Sequence, residues 1–354
     1  MFDFFFSKTP EIKENTFIVW EPCSENHSEV VPGFCRYLLD LGYHVSVLLN
    51  PKHYKEGLFC RFKDNENITY NKLSKSQIKN FFKKDNLKSV KGVLVTTAGK
   101  ICDNIHYEQS YEAFSPDIDK KKIYLVEHKA NFAIDEGKWD EKIITLNKLN
   151  YKGAKSTVVN PHYFGEVKIT PKNEKITNFL LIGTIRERKR NNELIINSFM
   201  ELLNSGYKNF KVTVIGKGNL KHLPESLRPF FDIKGRLPFS KMYDEIEKAD
   251  FFLTSYDENH PNHLRYITSG TSGNFQLIYG FLKPCIIKKS FCTVNGFDEN
   301  NSVVYEKTTD YKDALIRCIE MKNDEYKTLQ NNLSSYVKKL YDYSLDNLRN
   351  LINA

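Results

Sequence analysis

The 354-residue sequence is poor in the features that settle a protein's class at a glance. Its seven cysteines, Cys23, Cys35, Cys60, Cys102, Cys285, Cys292 and Cys318, are odd in number and form no CxxC pair. Neither a disulfide framework nor a zinc site is indicated, and a reducing, cytoplasmic setting is expected. Long apolar runs are missing as well. The opening MFDFFFSKTP has no basic flank and is too short in apolar residues for a signal peptide or a membrane span, so it reads as a frayed end or a packing plug, with a membrane-touching anchor as the alternative. There is no solenoid repeat and no low-complexity tract. Basic residues are in excess, 52 Lys and Arg against 44 Asp and Glu for a net charge of +8, but they are scattered. With no basic helix and no aromatic platform, nucleic acid is not an expected partner. The charge suits phosphate-bearing small ligands or an anionic membrane surface equally.

What is present is material for packed cores. Hydrophobic residues make up 40% of the chain, aromatics 13% and charged residues 27%, which excludes both a membrane bundle and a disordered chain. The length exceeds one ordinary core, so two domains are expected. Thr16–Trp20 is a short β-type run; apolar residues at helical spacing follow from Glu29 to Leu41, Gly42 stops them, and HVSVLLN supplies another strand. This βαβ opening predicts a parallel sheet whose strand ends carry the chemistry. Gly92–Thr96 and Ile123–Val126 read as inner strands, and Lys142–Leu146 and Ser156–Val159 as further ones before the turn NPHYFG. A first domain over residues 1–165 is expected, then an exposed linker over 166–178, polar, lysine-rich and broken by proline. The βα rhythm restarts for a second domain over 179–354: strands at Phe179–Ile182, Phe210–Ile215, Phe231–Lys234 and Phe251–Thr254, helices at Asn191–Leu203 and Ser240–Lys248, and helical segments from Thr309 onward. The fold class is therefore α/β, with two Rossmann-like halves.

Chemistry is expected at the strand ends of the second half. Gly183 directly after a strand permits a tight turn, the next helix points its positive end there, and Arg186, Arg188, Lys189 and Arg190 add cationic side chains. A diphosphate fits this cradle, and a basic solvated turn is the competing reading. The segment carries neither G-x-G-x-x-G nor a Walker sequence. VIGKGNL adds Gly216 and Gly218 after another strand, and the Ser/Thr/Gly turn Thr268–Gly273 precedes a helix beginning near Asn274, where backbone N–H groups with Thr271, Ser272 and Gly273 can hold an anion. His260, His263 and Arg265 fall in the same loop; they either offset leaving-group charge or are simply solvated. Asp117 with Asp119 precedes a strand and reads as a turn, and the other carboxylate clusters suggest no metal cage, so no metal and no cofactor is expected.

In this order, GTIRERK, VIGKG, IKGRL, YDEIEKADFFLTSYDE and GFLKPCII resemble the nucleotide-binding half of GT-B glycosyltransferases, most nearly the family-4-like retaining enzymes that build surface polysaccharides. The likeness spans most of residues 174–320 and is looser over 16–165. It implies two facing Rossmann-like domains, a nucleoside-diphosphate sugar bound mostly by the second, and transfer to a glycan or lipid-linked acceptor, with peripheral membrane contact admitted. It implies that Lys189, helped by Arg186 and Gly183, meets the donor diphosphate. It makes Glu258 the first acid of the family's paired motif, places Gln276 or Leu277 where the second acid belongs, and brings Gly235 and Arg236 of IKGRL to the ribose and base. His128, after a strand in VEHKANF, matches a histidine that touches the donor sugar. His27, at a strand-to-helix junction, is open between acceptor binding, general base and helix-capping neighbour. A nucleotide-sugar epimerase and a non-catalytic nucleotide or glycan binder are the alternatives.

Overall fold

The computed structural model describes residues 12–22, 27–63, 66–82, 87, 89–98, 119–140, 142–186, 190–218, 220 and 222–354. Lys189 and Arg188, Glu25, Asp117, Cys23, Cys102 and the MFDFFF opening lie outside the described residues. The chain divides into two compact units.

The first unit contains a parallel sheet in the order β3-β2-β1-β4-β5-β6-β7: β1 (Thr16–Trp20), β2 (His44–Leu48), β3 (Ile68–Asn71), β4 (Gly92–Val95), β5 (Ile123–Glu127), β6 (Ile144–Thr145) and β7 (Thr157–Val158). Every residue of β1, β2, β4 and β5 is buried, as expected where helices cover both faces of a parallel sheet. Helices α1 (Val31–Asp40), α2 (Pro51–Lys55), α3 (Lys75–Phe82) and α4 (Ala130–Asp135) accompany it. On one face Trp20, Phe82, Val93 and Leu125 belong to a single apolar cluster. Gly33 in α1 lies against the NPHYFG turn so closely that a Cβ there would come within 2.6 Å of the Pro161 carbonyl carbon. That contact explains why the helix carries a glycine in its first turn despite the entropic cost.

The second unit contains a parallel sheet in the order β10-β9-β8-β11-β12-β13: β8 (Thr177–Ile182), β9 (Phe210–Ile215), β10 (Phe231–Gly235), β11 (Phe251–Leu253), β12 (Cys285–Lys288) and β13 (Val303–Tyr305). Its helices are α5 (Asn192–Asn204), α6 (Phe239–Lys248), α7 (Pro261–Thr268), α8 (Gly273–Phe281), α9 (Tyr311–Glu320) and α10 (Asn323–Asn353). Phe179, Phe199, Phe251, Leu315 and Tyr326 anchor the core on the face covered by α5 and α9. Among the described residues no helix is long and apolar enough to cross a membrane.

Two parts of the chain depart from the sequence-based division. Residues 340–354 at the end of α10, and the turn Thr268–Gly273, belong to the first unit and not to the second. Most of the expected linker is exposed, with Lys172 the buried exception before β8; from Val167 onward it belongs to the second unit, and β8 begins at Thr177. Its polar groups dock on that unit. The Lys168 and Asn173 amides donate to Glu247 Oε1 (2.7 Å) and Asp250 Oδ1 (3.1 Å), and buried Lys172 donates Nζ to Ile319 O (3.3 Å). Fully buried Lys283 donates to Thr170 Oγ1 (2.9 Å) and Glu247 O (2.8 Å), and burial pushes its pKa down to about 8. Lysine-rich composition reads as solvent-facing, but a lysine whose ammonium finds carbonyls can be buried.

Candidate functional site

In each unit the strand order reverses once, and ligands of open parallel sheets bind outside the carboxyl ends of the strands at such a reversal. In the second unit the reversal falls between β8 and β11. The loops there are built on glycine. Gly183 and Gly216 have φ of 115° and 143°, and a Cβ on Gly216 would stand 1.7 Å from the Gly183 carbonyl oxygen. The loops after β8, β9 and β10 are therefore in backbone contact: the Gly183 amide donates to Ile215 O (2.8 Å), Ile185 to Lys217 O (2.8 Å) and Gly216 to Gly235 O (2.8 Å).

Arg190 lies beneath this surface. It is 4% exposed, and a Cβ on Gly183 would meet its Nη2 at 2.6 Å. With the Asn274 amide oriented to satisfy both neighbours, Asn274 accepts from Arg190 Nη2 (3.1 Å) and donates to Ile182 O (3.1 Å). Arg190 immediately precedes Asn191, which caps α5 by accepting from the Leu194 amide (2.9 Å) and whose own amide donates to Ser255 O (3.1 Å). Asn274 is in the first turn of α8. A buried guanidinium thus stands near the positive ends of two helices, and among the described residues no carboxylate pairs with it. The Ser255 hydroxyl, on the residue whose carbonyl accepts from the Asn191 amide, is fully buried and makes no hydrogen bond among the described residues. Arg186 is exposed, as is Arg236, next to half-buried Gly235.

Glu258 is on the same sheet edge but is not a free carboxylate. Lys288, at the end of β12, approaches its Oε2 at 2.8 Å and Ser290 Oγ donates to the same oxygen (3.0 Å). Burial alone would raise the Glu258 carboxyl, yet these bonds, Lys288 foremost, outweigh it and hold the group below the usual carboxylate range. The segment expected to be a donor-site loop contains a helix instead. His263 and Arg265 lie on α7; His263 is 1% exposed and its Nδ1 accepts from the Asp257 amide (3.1 Å), while Arg265 donates to Tyr266 Oη (2.9 Å) and stacks over that ring. His260 stacks on His263 with ring centroids 4.4 Å apart. Pro261 starts this helix, a signal the loop-like composition concealed. Gln276 is buried inside α8, with both amide atoms unpartnered among the described residues. Thr271, buried Ser272 and Gly273 lead into α8, and a Cβ on Gly273 would stand 3.3 Å from Glu29 Oε1.

In the first unit the reversal lies between β1 and β4, and a second polar group is centred there. Glu21, which follows β1, is 3% exposed and its Oε2 accepts from Thr96 Oγ1 (2.7 Å) and Thr97 Oγ1 (2.8 Å), which follow β4. His128, which follows β5, donates Nε2–H to Thr96 O (2.9 Å), and burial pushes its pKa down to about 4. His27 packs its ring 4.3 Å from that of His128 and has a left-handed backbone, φ 71°. Glu127 is occupied in accepting from the Lys129 amide (2.8 Å). Sequence reasoning found both histidines, but not Glu21, Thr96, Thr97, Ser255, Asn274 or Lys288. Only position could have marked them: Glu21, Thr96, Thr97 and Ser255 lie just past strands, Lys288 ends β12 and Asn274 is in the first turn of α8. Among the described residues no three His, Cys, Asp or Glu side chains gather as metal ligands.

No family model matches the sequence, and no curated protein matches it significantly. Solved structures do resemble it. One is an α-glucosyltransferase in complex with UDP and a 13-mer DNA containing a HMU base, 12% identical over 97% of this chain and 100% of that one, with a TM-score of 0.58. Another is AviGT4, a glycosyltransferase involved in avilamycin A biosynthesis, 13% identical over 97% and 99%, with a TM-score of 0.57. A third is sucrose-phosphate synthase from Thermosynechococcus elongatus, 9% identical over 94% and 97%, with a TM-score of 0.52. Identity this low speaks to architecture alone, and architecture is what the two parallel sheets and the near-complete coverage define: the chain has the GT-B fold.

Proposed function

We propose that the protein is a glycosyltransferase that moves a sugar from a nucleoside-diphosphate donor to a glycan or glycolipid acceptor, with retention at the anomeric carbon and without a metal ion. The observation that carries this reading is Arg190, buried beside Gly183 at the reversal of the second sheet with no carboxylate partner among the described residues. An unpaired buried cation is costly, and an anion arriving at the glycine-lined surface above it offsets that cost. A diphosphate has the charge and the size. In the transfer, the bond between the anomeric carbon and the diphosphate oxygen breaks, the acceptor oxygen bonds to that carbon, and its proton passes to the departing phosphate. Arg190 and the N-terminal ends of α5 and α8 stabilise the charge that develops on the leaving group. Exposed Arg186 adds cationic reach, and the family resemblance assigns the same role to Lys189.

Nucleotide sugars screened by thermal shift identify the donor, since a ligand that binds only the folded state raises its apparent stability. Mass spectrometry of candidate acceptors then reads an added sugar, with lipid-linked glycans, free oligosaccharides and hydroxymethylated DNA as the panel. Turnover is expected to persist in EDTA; loss that magnesium or manganese restores would overturn the metal-independent part. The engagement of Glu258 by Lys288 favours one rival, a binder without turnover, which would show nucleotide-dependent stabilisation and no product with any acceptor. An epimerase would convert the donor and leave every acceptor's mass unchanged.

A further inference from the structure

We infer that the second unit holds a buried monovalent anion, chloride in ordinary buffers, between Arg190, Ser255 and Tyr311 at the carboxyl ends of its strands. The geometry of that edge carries this with or without glycosyl transfer. Strand register brings the groups together. Phe251 pairs with Phe179, Leu253 with Ile286 and Lys288 with Tyr305. Continued along the same alternation, Gly183, Ser255, Lys288 and Tyr305 form one row across the neighbouring strands β8, β11, β12 and β13, each about 5 Å from the next. The row is on the face covered by α5 and α9, since Leu181, Leu253, Ile286, Val303 and Tyr305 all belong to the core beneath those helices. Arg190 covers the Gly183 end: a Cβ on Gly183 would meet its Nη2 at 2.6 Å, and the amide of the next residue, Asn191, donates to Ser255 O (3.1 Å). Tyr311, the first residue of α9, covers the other end, its ring centroid 5.1 Å from that of Tyr305, and its phenol lies within the field of the Arg190 charge.

The row is rich in donors that lack acceptors. The Ser255, Tyr305 and Tyr311 hydroxyls are buried and make no hydrogen bond among the described residues. Burial pushes both phenols up, so each keeps its proton and can donate. The acids nearest Tyr305 are Glu258 and Asp257, and they face Lys288, whose Nζ is 2.8 Å from Glu258 Oε2 and 3.8 Å from Asp257 Oδ1. An anion is therefore placed toward Arg190, which meets no carboxylate among the described residues. Water could accept from the hydroxyls, but it has no charge to set against the guanidinium. A halide accepts from N–H and O–H groups in any direction and supplies that charge. On the proposed function the donor diphosphate draws on the same guanidinium, so nucleotide and halide should oppose each other's binding.

The test reads thermal unfolding of the full chain in sodium chloride, sodium bromide and sodium gluconate at one ionic strength, so that screening is equal. Chloride and bromide should raise Tm by a few degrees over gluconate, since a ligand of the folded state stabilises it. Arg190→Met should remove that response. Tyr311→Phe separates a site from a structural role by sign. In gluconate it deletes an unpartnered hydroxyl and should be at least as stable as wild type, whereas its halide affinity should fall about tenfold. A wild type indifferent to halide holds water only and overturns the site, as does a Tyr311→Phe variant that responds to halide as wild type does. In wild-type crystals grown in bromide, an anomalous peak is expected within hydrogen-bond distance of Arg190 and Tyr311, and its absence there overturns the site whatever the variants do. UDP is then titrated in gluconate and in chloride. Its apparent Kd should rise several-fold in chloride, and an unchanged Kd overturns the opposition between the two anions. Failure of UDP to bind in either salt counts against the glycosyl-transfer reading, and the bromide peak still judges the halide.

Discussion

The two parallel sheets place buried charges of opposite sign at the same topological position, and treat them differently. In the first unit the charge is a carboxylate, Glu21, whose Oε2 accepts from two threonine hydroxyls. In the second it is a guanidinium, Arg190, which meets the Asn274 amide and no carboxylate among the described residues. A charge that is satisfied inside the protein fixes geometry. A charge that is not satisfied awaits something from outside. On the proposed function, the first edge supplies fixed geometry and the second captures the anion.

The comparison can be broken most forcefully through the backbone. Gly216→Val puts a Cβ onto the Gly183 carbonyl in a conformation side chains avoid, and should cost about 3 kcal/mol or more of unfolding free energy by urea titration. Thr97→Val at the first edge removes one hydrogen bond and should cost only about 1 kcal/mol. If both cost the same, the second edge is not built on backbone contact.

Acid should act on the first edge. His128 is depressed to about 4 against 6.5 for a free histidine, so the unfolded chain binds the extra proton first as pH falls. Stability is then complete above about pH 6.5 and is lost progressively down to about pH 4, by about 3 kcal/mol in all. Urea titrations of His128→Gln across this window should show a flatter slope than wild type, and an unchanged slope would remove the histidine from the account.

Arg190→Met sharpens the contrast because its two effects have different signs. Removing an unpaired buried cation should leave the ligand-free protein equally stable or more stable by about 1 kcal/mol, while affinity for the donor nucleotide falls about tenfold or more. Loss of stability without loss of affinity would make Arg190 a structural residue. The smallest effect is expected at Lys288→Met. The Glu258 carboxyl is depressed, so its contribution is present above its ordinary value of 4.5 and lost as pH falls below that. The variant should lose about 1 kcal/mol at pH 7, with the difference shrinking in acid.

Much of the fold was legible because strands in a parallel sheet are short, continuous apolar runs. β1, β9 and β11 begin where periodicity places them. β3 and β13 were not, since four residues reading ITYN and three reading VVY lack enough apolar length to stand out from loops. At the candidate site, glycines after strands were visible because a tight turn needs them. His263 was visible as a chemical type but not as a side chain packed into α7. Among the lysines of residues 167–176, Lys172 alone was misjudged for the same reason, since composition cannot tell a solvated ammonium from one given carbonyls to hold.

By itself, then, the sequence determined the alternation of strands and helices, two parallel sheets, and the glycine-bearing strand ends where ligands of such sheets gather. Those are local properties, set by apolar spacing and backbone freedom. Which charges are paired was decided only by the tertiary structure. Glu21 meets Thr97 across 76 residues, Glu258 meets Lys288 at 2.8 Å from a separate strand end, and Arg190 meets Asn274 across 84 residues and no acid among those described. No local pattern encodes such pairings, because they follow from strand order.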